Sequence, residues 1–123
     1  MSRRVLIADD SAVARVSVAR RVRADGIVVE ERDSVASAAS VDVEGLSCAL
    51  LDLDLGDGLG TEIAERLRAG RGGLPIAFFS STSSPEVLAQ AATFGPVFAK
   101  PDELDQAVDW VQRALARPPQ SSD

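Results

Sequence analysis

The residues best suited to chemistry stand directly after short apolar stretches of the sequence. Asp9 and Asp10 follow the first stretch, Asp52 the third, Ser80 the fourth and Lys100 the fifth. Carboxylates that lie close together repel one another, so they either hold a proton more tightly or require a cation. A site that offers only oxygen ligands suits Mg²⁺. We therefore expect a hydrated magnesium ion among the aspartates if the fold brings them together.

Phosphoryl transfer is the chemistry that fits these residue types. The Asp52 carboxylate could attack phosphorus as a nucleophile. Mg²⁺ and the Lys100 ammonium would neutralise charge on the transferred oxygens, and the Ser80 hydroxyl would donate a hydrogen bond to one of them. Lys100 is the only lysine among thirteen basic residues. Because a compact ammonium and a planar guanidinium are not interchangeable, this bias supports a specific role for Lys100.

The composition argues against several other functions. The 123-residue chain has no histidine, which removes His-based triads, zinc sites built on imidazole and phosphohistidine carriers. A net charge of −6 argues against nucleic-acid binding. The lone Cys48 is expected in the core, as suits a reducing compartment. No apolar run approaches the roughly 20 residues that cross a bilayer, and no signal-peptide pattern is present, so we predict a cytoplasmic protein.

Short strands that alternate with helices must position these residues. Apolar runs indicate five strands, at residues 5–8, 27–29, 49–51, 76–79 and 97–99. Helical spacing and capping residues indicate five helices, at residues 11–25, 33–44, 60–69, 85–93 and 102–116. Continuously apolar strands favour a parallel sheet covered by helices on both faces. We therefore predict a doubly wound α/β fold in three α/β/α layers, with its ligand site at the carboxyl ends of the strands.

The chain is expected to form one domain. Its length and its 46% apolar residues suffice for one core without disulfides or metal. We expect residues 1–117 to form the domain and residues 118–123 to be a polar tail or the stub of a linker.

Taken together, these features resemble the receiver domains of bacterial two-component response regulators over nearly the whole chain. The matching segments are residues 5–11 (VLIADDS), 50–58 (LLDLDLGDG), 74–81 (LPIAFFSS) and 100–101 (KP). Each segment is weak evidence alone, but the four occur in the right order at the right strand ends.

The resemblance implies a flavodoxin-like fold with Asp52 as the phosphoacceptor. It further implies that Ser80 and Lys100 contact the phosphoryl group, and that Mg²⁺ is held by Asp9, Asp10, Asp52 and the backbone carbonyl of Asp54. The donor would be a phosphohistidine on a sensor histidine kinase or a phosphotransfer protein. Such a protein signals to an output protein or effector domain instead of turning over a substrate, and can form a homodimer through its fourth helix, fifth strand and fifth helix.

Three features depart from the family pattern. Gly56 stands where members usually have Pro, so the loop after the phosphoacceptor is expected to be looser. Val97 occupies the place of an aromatic residue, often Tyr, that rotates on activation, and the chain has no Tyr. Residues 93–96 replace the customary Gly-Ala turn, and Pro96 removes an amide donor next to the fifth strand. These departures leave open how the usual output and dimerisation face is used.

Two other functions remain open at the level of the sequence. Residues 50–54 (LLDLD) resemble the Asp-x-Asp pair of haloacid-dehalogenase-like phosphatases. That family places this motif near its beginning and its acidic pair near its end, which is the reverse of the order here. The other alternative is a pseudo-receiver, an interaction module that works without phosphorylation. The altered output face supports it, whereas the intact acidic cluster and Lys100 oppose it.

Overall fold

The five strands in the described part of the chain form one parallel sheet. The structure is a computed structural model that describes residues 3–24 and 26–117. The strands are β1 (Arg3–Ala8), β2 (Ile27–Arg32), β3 (Leu46–Leu51), β4 (Ile76–Ser80) and β5 (Val97–Ala99). Their order in the sheet is β2-β1-β3-β4-β5, and every neighbouring pair is parallel. The predicted doubly wound α/β fold is confirmed.

Among the residues that the structure describes, five helices alternate with the strands and cover the sheet. They are α1 (Ala12–Val22), α2 (Val35–Ala38), α3 (Gly60–Gly70), α4 (Pro85–Ala92) and α5 (Leu104–Ala116). Four of them agree with the predicted helices to within three residues at either end. Within the described part of the chain, no helix is long and apolar enough to cross a membrane.

Alternate residues of the strands enter two separate cores. In β1, Leu6 and Ala8 belong to a core that also contains residues of α2, α3 and α4. Val5 and Ile7 point the other way, into a core shared with α1 and α5. All four of these β1 residues are at most 2% exposed. Successive side chains of a strand point to opposite faces of the sheet, and helices cover both faces here.

The second helix is much shorter than predicted. The sequence indicated a helix over residues 33–44, but α2 is a single turn. Short polar side chains bind the backbone beyond that turn: the Ser40 hydroxyl donates to the Ser37 carbonyl, and an Asp42 carboxylate oxygen accepts the Glu44 N–H. Such local bonds compete with helical hydrogen bonds, so alanine and valine spacing alone was a poor guide here.

Helices α1 and α4 begin where the sequence placed their caps. The Ser11 hydroxyl accepts the Ala14 N–H at 3.3 Å, and the Ser84 hydroxyl accepts the Val87 N–H at 3.4 Å. Pro85 occupies the first turn of α4. Each cap satisfies a backbone donor that the helix itself cannot satisfy. Both caps follow a strand closely, so they fix where the chain turns away from the carboxyl edge of the sheet.

The lone cysteine lies in the core, as the sequence predicted. Cys48 is fully buried in β3. Burial in apolar surroundings raises the pKa of its thiol to about 12. The thiol is therefore a packing residue and takes no part in the chemistry of the site.

Candidate functional site

The carboxyl edge of the sheet brings together the residues that the sequence singled out. Asp9 follows β1, Asp52 follows β3, Ser80 ends β4, and Lys100 follows β5. Sheet hydrogen bonds hold these positions: the Asp52 N–H donates to the Ala8 carbonyl at 2.8 Å, and the Lys100 N–H donates to the Ser80 carbonyl at 3.0 Å. The register of the sheet therefore determines where the backbone atoms of the site residues lie.

Three aspartates form a cluster at this edge. Asp9, Asp10 and Asp52 each offer a carboxylate oxygen, and these oxygens lie within 4.8 Å of one another. Asp9 and Asp52 are 4% and 6% exposed, whereas Asp10 is open to solvent. Oxygen ligands on one side and an open approach on the other suit a hard divalent cation that keeps several waters. The residues present therefore fit Mg²⁺.

Lys100 bridges the two buried aspartates. Its Nζ lies 2.7 Å from Asp9 Oδ2 and 3.1 Å from Asp52 Oδ2, and its side chain is 15% exposed. Burial acts to lower the pKa of Lys100, but the hydrogen bond to Asp9 and the charges of Asp52 and Asp9 outweigh it and raise that pKa. The ammonium is therefore charged when it faces Asp52.

Asp9 is held in place by groups at the start of α1. Its Oδ1 accepts the Ser11 N–H at 2.9 Å, and its carbonyl accepts a hydrogen bond from Arg15 Nη1 at 2.8 Å. Burial raises the pKa of Asp9, and the charge of Asp52 adds to this, while bonds from Lys100 and Ser11 partly offset it. A carboxylate in that position gains from any further cation. This is a second reason why the cluster suits a metal ion.

The Ser80 hydroxyl lies buried at the end of β4, at 4% exposure. Its oxygen accepts the Thr82 N–H at 3.3 Å. A hydroxyl that accepts one bond still has its own proton to donate. Ser80 can therefore offer a donor to an anionic group at this edge.

Asp54 lies in the loop between β3 and α3, with an exposed side chain. Its N–H donates to Asp52 Oδ1 at 3.3 Å. An isolated antiparallel bridge joins Asp54 to Leu59, and the two backbone hydrogen bonds of that bridge run between their neighbours. The Asp54 carbonyl accepts neither of these bonds.

Gly60 makes a close approach that sequence reasoning missed. A Cβ atom on this residue would lie 2.0 Å from the carbonyl oxygen of Asp52, which no side chain can tolerate. Glycine therefore allows α3 to begin directly against the backbone of Asp52. The only signal in the sequence is a glycine eight residues after Asp52.

The loop expected to be looser is tied down at two points. Gly56, at φ +80°, donates its N–H to Asp54 Oδ1 at 3.1 Å. The Asp57 carboxylate accepts the N–H groups of Val35 and Ala36, at 2.9 and 3.0 Å. These bonds, first that from Val35, lower the pKa of Asp57. The sequence could not show that this loop reaches α2.

Phe94 lies in the turn that joins α4 to β5. These two elements and α5 form a face that is called the output face below, after the role that the resemblance implies. Phe94 packs edge to face on Phe78, with 6.5 Å between ring centroids, and Arg68 lies 5.9 Å from the Phe94 centroid. The Pro96 carbonyl accepts the Phe78 N–H at 2.9 Å, so the pairing of β5 with β4 begins at the proline. Val97 is half-buried against the core of α2, α3 and α4.

Two further residues near Lys100 escaped sequence analysis. Lys100 Nζ lies 5.6 Å from the centroid of the Phe79 ring. Glu103 Oε1 accepts the Ala99 N–H at 2.7 Å, and the Glu103 N–H donates to the Ala99 carbonyl at 2.9 Å. No motif marks either contact, since both depend on where β4, β5 and α5 meet.

Comparisons with known proteins agree with this geometry. The family model described as the response regulator receiver domain matches residues 5–112. The structure is similar to the BeF3-activated DrrB receiver domain, at 20% identity and a TM-score of 0.81, covering 95% of this chain and 100% of that one. It is also similar to a CheY-like receiver domain protein from Methanospirillum hungatei JF-1, at 24% identity, a TM-score of 0.80 and 94% coverage of both chains.

A third similar structure is the non-phosphorylated HemR receiver domain from Leptospira biflexa. It is 20% identical, with a TM-score of 0.83, and the match covers 98% of this chain and 99% of that one. No curated protein matches the chain. At these identities the solved structures show a shared fold, while the family model covers most of the sequence. The chain belongs to the family of response regulator receiver domains.

Proposed function

We propose that the protein accepts a phosphoryl group on Asp52 and signals by a change in its docking to a partner. The observation that carries this proposal is the convergence of three aspartates and the only lysine of the chain at one edge of the sheet. The donor is a phosphohistidine on a sensor histidine kinase or a phosphotransfer protein. The reaction depends on Mg²⁺, held by Asp9, Asp10, Asp52 and the Asp54 carbonyl.

In the transfer, an oxygen of the Asp52 carboxylate forms a bond to phosphorus. The bond between phosphorus and the donor imidazole nitrogen breaks, and the nitrogen keeps the electron pair. Bound Mg²⁺ supplies positive charge that offsets the negative charge of the transferred oxygens. The Lys100 ammonium, 3.1 Å from the Asp52 carboxylate, is within reach of one of those oxygens. The Ser80 hydroxyl donates a hydrogen bond to another.

In this proposal the protein is a signalling phosphoacceptor, and its only reactions are its own phosphorylation and dephosphorylation. Residues 1–117 form its receiver domain, while the proposed tail, residues 118–123, lies outside the described residues. Its output partner docks on the output face, which also serves for a homodimer. The name of one similar structure, a beryllofluoride-activated NtrC4 receiver domain dimer, is consistent with such assembly in that protein. A cytoplasmic location remains a prediction from the sequence.

The experiment is intact mass after incubation with acetyl phosphate and Mg²⁺, for the native protein and for Asp52→Asn. We expect one added phosphoryl group on the native chain and none on the variant. A folded protein that binds Mg²⁺ but gains no phosphoryl group would overturn the proposal in favour of a pseudo-receiver. Steady phosphate release from a small ester, without an adduct, would overturn it in favour of a phosphatase.

A further inference from the structure

Lys100 is held from three directions, and only two of its partners are carboxylates. Asp9 and Asp52 lie 2.7 and 3.1 Å from Nζ. The third partner is the Phe79 ring, whose centroid is 5.6 Å from the same atom. An ammonium near the face of an aromatic ring is attracted by the ring quadrupole, and more strongly when both groups are shielded from water. Phe79 is 5% exposed and the Lys100 side chain 15%.

The three contacts differ in how long they can last. Asp9 and Asp52 are the same carboxylates that the proposed metal would use, and Asp52 would lose a charged oxygen on phosphorylation. Phe79 has no such competing role. Its ring is fixed in the core between the sheet and the helices α1 and α5, and it lies one residue before Ser80 on β4. The ring contact is therefore the one that metal binding and phosphorylation leave chemically unchanged.

We propose that Phe79 is a positioning residue for Lys100. It holds the ammonium beside Asp52 when Asp9 and Asp52 bind Mg²⁺ or when Asp52 is phosphorylated. Lys100 is then already in position to contact the transferred phosphoryl group. This inference rests on the proposed phosphoacceptor function for its consequence, but the contact itself can be tested without phosphorylation.

The composition of the chain provides an unusually clean probe. Because Lys100 is the only lysine, protein grown with ¹³C-labelled lysine shows a single Cε–Hε signal. In the metal-free native protein, we expect the Hε protons to be shifted upfield by the ring current of Phe79. The shift should collapse in Phe79→Leu and persist in Phe94→Leu. Phe94→Leu is the matched control, since it removes the other ring that faces a cation, that of Arg68, in the opposite core.

The second measurement is the rate of phosphorylation by acetyl phosphate at saturating Mg²⁺. We expect Phe79→Leu to react about 3- to 10-fold more slowly than the native protein, and Phe94→Leu to react at the native rate. Because leucine also removes core contacts, a second variant carries pentafluorophenylalanine at position 79 only. It preserves the shape of the ring but reverses its quadrupole, so it should slow the reaction at an unchanged thermal midpoint.

An unshifted lysine signal in the native protein, or one that persists in Phe79→Leu, would overturn the inference. So would a pentafluorinated variant that reacts at the native rate. If the native protein accepted no phosphoryl group, the proposed function would fail by itself. In that case, the lysine signal would still show whether Phe79 holds Lys100.

Discussion

The carboxyl edge and the output face meet at β5, the neighbour of β4, yet they differ in how far they depart from the pattern that the sequence resembles. Ser80 and Lys100, at the ends of these strands, stand where that pattern requires them. On the adjoining face, Val97 replaces an aromatic residue and Phe94 packs on Phe78. Phosphoryl chemistry needs particular atoms at particular distances, whereas a docking surface needs only a well-packed support. The comparison predicts that substitutions in the two regions have separable effects.

The largest effect is expected for Gly60→Ala, at the back of the carboxyl edge. The new Cβ would lie 2.0 Å from the Asp52 carbonyl oxygen, so the start of α3 and the backbone at Asp52 must move apart. We expect a loss of about 3 kcal/mol in the free energy of unfolding and no phosphorylation. Urea denaturation measures the first and intact mass the second. Gly72→Ala, where a Cβ meets nothing within 4 Å, is the control and should behave as the native protein.

Next in size is the effect of Lys100→Ala on the reaction itself. Removing the ammonium takes away the charge that faces Asp52, and we expect the rate of phosphorylation to fall about 100-fold. Lys100→Arg should recover little, since a guanidinium cannot take the same position between Asp9 and Asp52. Quench-flow or intact-mass time courses with acetyl phosphate measure both rates. A near-native rate for Lys100→Ala would remove this residue from the proposed chemistry.

Arg68→Met tests the packing of the turn between α4 and β5, which supports the output face through Phe94. Arg68 donates to the carbonyls of Leu74 and Phe94, at 2.9 and 2.7 Å, and faces the Phe94 ring. Its removal leaves both carbonyls without that donor, so we expect a loss of about 1 to 2 kcal/mol in the free energy of unfolding. The phosphorylation rate should stay native. A rate that fell in parallel with stability would contradict the separation of the two regions.

The smallest effect is expected for Asp57→Asn, in the loop that follows Asp52. Hydrogen bonds from Val35 and Ala36 lower the pKa of Asp57 in the folded state. Its stabilising contribution is therefore present above its ordinary pKa and lost as the pH falls through the lowered value. We expect the difference in unfolding free energy between the native protein and Asp57→Asn to shrink on acidification. Asp102→Asn, at an exposed carboxylate outside the loop, should show no matching trend in urea titrations at several pH values.

How much of this molecule the sequence could predict depends on the range of the interactions. The five strands and the carboxyl edge follow from apolar runs and from polar residues at their ends, which are local signals. The error at α2 arose because serine and aspartate side chains, such as Ser40 and Asp42, bind the backbone in competition with the helix.

The contacts that the sequence could not predict depend on how the chain folds back on itself and on which strands are neighbours. Gly60 is required by the nearby Asp52 carbonyl, and Asp57 reaches α2 across more than 20 residues of chain. Phe79 meets Lys100 only because β4 and β5 are neighbours in the sheet. The residue types at these positions are compatible with such contacts but do not predict them. The candidate acceptor residues could therefore be proposed from motifs, while the residues that position them required the fold.

The most direct test of the central claim is to identify the phosphorylated residue itself. Protein treated with acetyl phosphate and Mg²⁺ is reduced with borohydride, which converts an acyl phosphate to an alcohol, and is then digested and sequenced by mass spectrometry. We expect the reduced residue to be at position 52 and no product to form when Mg²⁺ is omitted. Reduction at position 9, 10 or 54 instead, or an equal yield without Mg²⁺, would contradict it.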